Sequence, residues 1–382
     1  AHAVSAFELA AKQRPKDVSV REILAGLYES ERETQDKAIN QYRVLIKLKP
    51  EAMKYYHALF SLYMRSGSID RAWCVAGLLM ALDKATDTER EFYEEHRNPS
   101  IAEANGAFGP KAWFDCVMGP AQDRFLGEIF SAVYQIGGRQ LLTRTLKDLG
   151  LKKKDKLDLN EEMLLCTTLK TASKILAIPL PDIFVSREAR GMQIVPTLPP
   201  SLIIGQDMLQ GRDIKDLAFH AAKWLTYFHP HHILAACFSR EDLDSFFLVA
   251  KKVADPDFDI AAALGAHASE EVVAALDEMV QAIYKLATGP QRSALAQHVA
   301  QFMAQKRKQG IGAWHRQVEL TADHAGLVVA DDVEIVGRII REEVSGLSKL
   351  TPQDKLKDLI DFASSNRYAV LRRKLGLAVD GE

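Results

Sequence analysis

The sequence predicts a mainly α-helical protein in which helical repeats lead into a helix-rich domain carrying one small β-hairpin. Two observations carry this expectation. The first hundred positions repeat themselves with a period of about 34 residues, the length at which one helix pair closes and the next begins. Most of the remaining chain places apolar residues at helical spacing, and only two short runs rich in Ile, Val and Phe interrupt it. With 382 residues, 47% of them hydrophobic, the chain can bury more than one core.

The repeats show in aligned positions. Ala38, Tyr42, Leu45 and Pro50 in one unit correspond to Ala72, Ala76 and Leu79 in the next, and Leu24, Ala25 and Tyr28 correspond to Leu59, Phe60 and Tyr63. Small residues such as Ala38 and Ala72 let helices approach closely. Tyr28 and Tyr63 fill the space between paired helices, and Pro50 stops a helix. Ala3, Phe7, Ala10 and Pro15 match only the second helix of a unit, so the expectation is a piece of a longer protein with more repeats upstream. The pattern over residues 1–97 resembles the tetratricopeptide repeat. That resemblance implies a groove that captures a protein or peptide, with His57, Ser61, Tyr28 and Tyr63 as its binding residues. The Lys and Asn pairs with which some members of that family clamp a C-terminal carboxylate are not matched.

Residues 98–157 read as a helical connector, with Pro99, Gly106, Gly109, Pro110, Gly119 and Pro120 around short helical pieces and a more regular helical stretch over 122–149. The run Lys152, Lys153, Lys154 and Lys156, broken by Asp155, reads as a solvated hinge. A third part, 158–382, follows. Asp158 and Glu161 form a capping-box pattern ahead of a helix containing Leu165, Leu169, Ala172 and Leu176, which Pro179 and Pro181 end. Residues 182–186 and 201–205 are expected to pair as a hairpin across the Gly191 region. Further helices are expected over 213–228, 270–288, 291–309, 313–329, 333–343 and 352–375.

Two of these helices carry the residues with chemistry. His220, Ala221, Ala222, Lys223 and Trp224 lie on the central helix, and Glu319, Leu320, Thr321, Ala322 and Asp323 lie on the later one, followed by His324, Ala325, Gly326 and Leu327. The order of helix, small sheet, central helix and later helix over about 160–345 resembles zinc metallopeptidases of the CAAX prenyl protease type. In that family the central helix carries H-E-x-x-H and the later one E-x-x-A-D. The resemblance implies that Glu319 and Asp323 keep the later motif. It also aligns His220 with the first zinc ligand, Ala221 with the general base and Trp224 with the second ligand. A zinc-bound water would then lack its proton acceptor, so the resemblance implies a zincin-like fold without catalysis and without a cofactor. The residual site reads as His220, Ala221, Trp224, Glu319 and Asp323, with a direct or water-bridged contact between His220 and Glu319 and Trp224 packed over the vacated ligand position. The alternative is a zinc peptidase with a rearranged ligand set of His220, His315 and Glu319. The chain is also similar to repeat-bearing proteins of myxobacteria and their relatives, which implies a bacterial origin and a non-catalytic role.

Other function classes find little support. Basic and acidic residues number 49 and 51, so no broad positive field gathers nucleic acid. Cys74, Cys116, Cys166 and Cys237 lack C-x-x-C spacing and sit in apolar surroundings, which points to a reducing, cytoplasmic setting. No apolar stretch reaches the ~20 residues that span a bilayer. The native N-terminus is expected upstream of residue 1, so the first residues do not decide whether a signal peptide exists. His229, Pro230, His231 and His232 read as a polar loop near the negative end of a helix dipole.

Overall fold

The computed structural model describes residues 2–101, 104–119, 122–306, 308–343 and 346–379. It is mainly helical with one three-stranded sheet. In chain order the helices begin with α1 (His2–Gln13), α2 (Val18–Glu29), α3 (Gln35–Leu48), α4 (Lys54–Arg65), α5 (Ile69–Ala81), α6 (Asp87–Glu95) and the single turn α7 (Pro110–Ala112). Then come α8 (Arg124–Leu141), α9 (Leu164–Leu176), strands β1 (Asp182–Ser186), β2 (Met192–Val195) and β3 (Ser201–Gly205), and α10 (Ile214–Thr226). The rest are α11 (Ile233–Cys237), α12 (Arg240–Ala254), α13 (Ile260–Leu264), α14 (Glu270–Leu286), α15 (Gly289–Met303), α16 (Ile311–Ala330), α17 (Val333–Glu342), α18 (Pro352–Ala363) and α19 (Asn366–Leu375).

The chain forms two compact units. One comprises residues 1–117, 327–344 and 351–382, the other 118–326 and 345–350. This differs from the expected division, which joined 327–344 and 351–382 to the peptidase-like part. The reason lies in α5. Nearly every residue of this helix is buried, so it needs apolar neighbours all round. The repeat helices α4 and α6 supply some of them, and α17 and α18 supply more. Glycines permit the close approach: a Cβ on Gly77 would lie 2.9 Å from the Tyr93 ring and 3.2 Å from Val333, and one on Gly337 would lie 2.9 Å from Ala81.

Within the first unit α1 to α6 pack each against the next. The repeat positions Leu24, Ala25, Ala38, Leu45, Leu59, Tyr63, Ala72, Ala76 and Leu79 are all buried. Polar stitches accompany them: Tyr42 donates to Glu29 (2.8 Å) and Tyr55 to Glu22 (2.6 Å), while Arg65 and Lys54 pair with the same two carboxylates. A buried cluster ties in the C-terminal helices. The Arg372 guanidinium holds Asp70 (Nε to Oδ1, 2.9 Å), Asp331 and the Leu377 carbonyl (2.6 Å), and lies 4.7 Å from the Trp73 ring. Next to it Asp332 caps α17 through the Ile335 N–H (2.9 Å) and accepts from Tyr93 (2.9 Å) and Arg97 (2.8 Å).

In the second unit the two expected strands form at the expected residues but do not pair as a hairpin. β1 and β3 run parallel, and the unforeseen β2 pairs antiparallel with β3, giving the order β1-β3-β2. The chain turns at Gly191 (φ +64°), runs back as β2, and turns again over 196–200 so that β3 enters between its predecessors. Every residue of β3 is buried, as expected of a central strand. The lysine run is not a hinge. Leu151 packs on Phe184, Val195 and Ile203, Lys156 forms an antiparallel bridge with Phe184, and its Nζ lies 2.6 Å from Asp182.

Three further expectations are corrected. Asp158 closes a local turn through the Asn160 N–H (2.9 Å), whereas α9 starts beyond it after Met163 with no side-chain cap. The helix expected over 352–375 is two, because Ser365 caps α19 through the Tyr368 N–H (3.2 Å). Helix α12, capped by Ser239 and Asp242, was not foreseen.

Replacing Arg372 by Met would leave Asp70 and Asp331 buried without their cation, and breaking such a cluster costs about 3–5 kcal/mol. The expected outcome is a large drop in the urea midpoint, mostly recovered when Asp70→Asn and Asp331→Asn are added. A single-variant midpoint equal to wild type would show that the cluster contributes nothing net.

A candidate site in the polar seam between α10 and α16

Helix α10 begins at Asp213, whose carboxylate accepts the Lys215 N–H (2.7 Å). Phe219 and Lys223, one turn apart, point at α16. A Cβ on Gly326 would lie 2.5 Å from the Phe219 ring and 3.1 Å from its carbonyl oxygen, so only glycine allows this crossing. The Lys223 ammonium lies 2.8 Å from Asp323 Oδ1, both side chains being 3% exposed. These two contacts run in opposite chain directions, so the helices are antiparallel. On α16, His315, Glu319 and Asp323 follow one another at four-residue spacing and are all buried. The stripe carries metal-ligand residue types, but its neighbour on α10 is an ammonium.

The sequence picture of this seam is therefore rotated by one residue. His220 and Trp224, expected to face α16, are half-buried. His220 Nε2 lies 3.6 Å from Asp216 Oδ1, one turn back on its own helix, and the Trp224 ring lies 5.5 Å from that of Tyr227. Ala221 is buried. The antiparallel register sets position 220 level with Gly326 and Glu319 level with residues 226–227, about 10 Å further along the axes at ~1.5 Å per residue. In place of the expected His220 contact, Glu319 Oε2 accepts the Ser348 N–H (2.8 Å) and the Ser348 hydroxyl. A one-residue step turns a helix by about 100°, so Phe219 and His220 project in different directions from α10.

The rearranged ligand set is likewise not assembled. His315 Nε2 donates to the Ala235 carbonyl (3.0 Å), and burial pushes its pKa down. Among the described residues no three His, Cys, Asp or Glu side chains are grouped to hold a metal ion. The histidines 229, 231 and 232 do not form the expected polar loop, for His231 and His232 are buried. A cavity of about 540 Å³ lies at the ends of β1 and β3, where Lys152, Lys154, Lys156 and Arg187 face Asp155, Asp158, Glu161 and Glu188, so its charges cancel.

The residues expected to bind a partner separate into two kinds. Tyr28 and Tyr63 are 4% and 2% exposed, so they pack helices together and present almost nothing to a partner. Ser61 is exposed, and His57 is half-buried with its Nδ1 2.7 Å from Glu89. Lys223 was expected as a positive charge beside the site, and its pairing with Asp323 was not foreseen. Ser348 was missed, and nothing local signals it.

Chemically, the seam fixes two helices. An ammonium held against a carboxylate, out of water, is neither a free base nor an exposed electrophile, and a substrate would have to part the helices to reach it.

Replacing Ser348 by Ala removes a hydroxyl donor to a wholly buried carboxylate and leaves the backbone N–H in place. A stability loss of about 1–3 kcal/mol in urea denaturation is expected, and Glu319→Gln, which keeps one acceptor oxygen, should cost less than Glu319→Ala. Equal losses for Gln and Ala would show that the Ser348 bond is not what satisfies the carboxylate. No protein-family model, curated protein or solved structure matches the chain.

Proposed function

We propose that the protein is a non-catalytic interaction scaffold. Its tetratricopeptide-type helices capture a protein or peptide, and its second unit is a peptidase-like platform without peptidase chemistry. The observation that carries this reading is the Lys223–Asp323 pair. Its ammonium already neutralises a carboxylate that the resemblance to zinc metallopeptidases would place beside a metal, and solvent does not reach it. The exposed Ser61 and half-exposed His57 on α4 support a partner surface on the repeat helices. No cofactor enters this reading.

Two measurements on the intact chain test it. Elemental analysis after purification without added metal should find well under one zinc per chain, and chelator should leave the melting temperature unchanged. One zinc per chain, lost on His315→Ala, would replace the scaffold by a zinc hydrolase with a rearranged site. In affinity capture Ser61→Arg, a surface change, should lose partners that wild type retains, while the melting temperature stays the same. Identical capture by both proteins would remove α4 from the binding surface.

A further inference from the structure

Residues 227–232 connect α10 to α11, and their three imidazoles crowd together. The His229 ring centroid lies 5.0 Å from that of His231 and 5.1 Å from that of His232. The hydrogen bonds of two of them require the neutral ring. His229 Nδ1 accepts the His231 backbone N–H (3.2 Å). His232, wholly buried, donates from Nδ1 to the Thr226 carbonyl (3.1 Å), so its Nε2, 3.0 Å from the Gln122 amide nitrogen, is the acceptor. Gln122 Oε1 in turn accepts from the Thr321 hydroxyl (2.6 Å). One polarised chain thus runs from α16 through Gln122 to His232 and into the end of α10.

The surroundings offer little to a second positive charge. From α8, Glu128 lies 3.4 Å from His231 Nε2, and Arg124 adds a repelling cation nearby. The His231 ring presses on α8 so closely that a Cβ on Gly127 would lie 2.8 Å from its Nδ1. From α15 comes His298, a further imidazole whose buried Nδ1 has no hydrogen-bond partner. From α16, His315 holds the Ala235 carbonyl of α11. Glu128 thus faces His231 together with Arg124, while Glu319 and Glu241 act on His315 further along.

We propose that the turn His229–His232 is an acid-operated latch of the second unit: proton uptake by His229 and His232 cuts the bonds that close the turn and tie it to Gln122, and α11 then releases from α8. Protonating His229 at Nδ1 displaces the His231 N–H, and protonating His232 at Nε2 sets two donors against each other. Each event also places like charges about 5 Å apart. Burial first, and then His231, hold His229 down to about 3, and burial holds His232 well below the usual histidine range. The sign follows. In the closed state both groups bind protons less readily than in the open one, so the latch is at full strength above about pH 6.5 and weakens as pH falls below it.

Hydrogen exchange of the intact chain, corrected for intrinsic rates, reads the latch directly. With at least His229 and His232 taking up protons on opening, and His231, which burial also holds down, adding to them, the opening constant of residues 226–238 should rise about 100-fold or more per pH unit below about pH 6, while α9 stays protected. His229→Asn keeps an acceptor at the Nδ1 position but cannot be protonated, so its rise per pH unit should be about tenfold smaller than that of wild type. A pH-independent opening constant, an unchanged slope in the variant, or an equal rise in α9 would each overturn the latch. The wild-type comparison with α9 stands without the variant.

Discussion

The first unit depends on the burial of one guanidinium. Arg372 is fully buried, and its planar fork reaches two carboxylates and a carbonyl carried by three segments, around residues 70, 331 and 372–377. Taking such a charge out of water costs several kcal/mol, which only a complete set of partners offsets. The cluster therefore forms all together or not at all, and it admits only the arrangement in which α5, the start of α17 and α19 converge. That is why the segments 327–343 and 351–379 belong to the same unit as α1 to α6. Asp332 extends the same constraint through Tyr93 and Arg97, adding α6 to the elements held.

The second unit uses the same physics with a different outcome. Lys223 and Asp323 lie where two helices cross at glycine distance, the ammonium 2.8 Å from the carboxylate and both nearly out of solvent. A site that polarises a substrate needs an unspent charge facing a space. Here the ammonium and the carboxylate face each other out of solvent. Glu319, one turn away, accepts from Ser348, on a segment that local sequence gives no reason to expect there. Buried carboxylates on a helix are thus a poor sign of catalysis unless the groups that donate to them are also known.

The histidine turn shows a third use of buried polar groups. The His229 and His232 rings are satisfied only as neutral species, so the integrity of the turn depends on a protonation state as well as on shape. The arginine cluster has no such dependence in ordinary buffers, because a guanidinium keeps its charge. The two units therefore differ in what can loosen them.

By itself the sequence determined the helical class, most of the aligned positions that α2 to α5 bury, the residues of β1 and β3, and the extents of α10 and α16 to within a few positions. Those features follow from local periodicity, from caps such as Asp213, and from breakers, all of which act over a few residues. It did not determine which face of α10 meets α16. Phe219 and Lys223 differ from His220 and Trp224 by one step of about 100°, and both pairs fit an amphipathic pattern, so only packing against Gly326 chooses between them. Nor could it pair Arg372 with Asp70, Ser348 with Glu319, or Gln122 with His232, since nothing near either partner names the other. Tertiary structure decided these, because burying a charge or an imidazole is favourable only beside partners that the fold itself delivers.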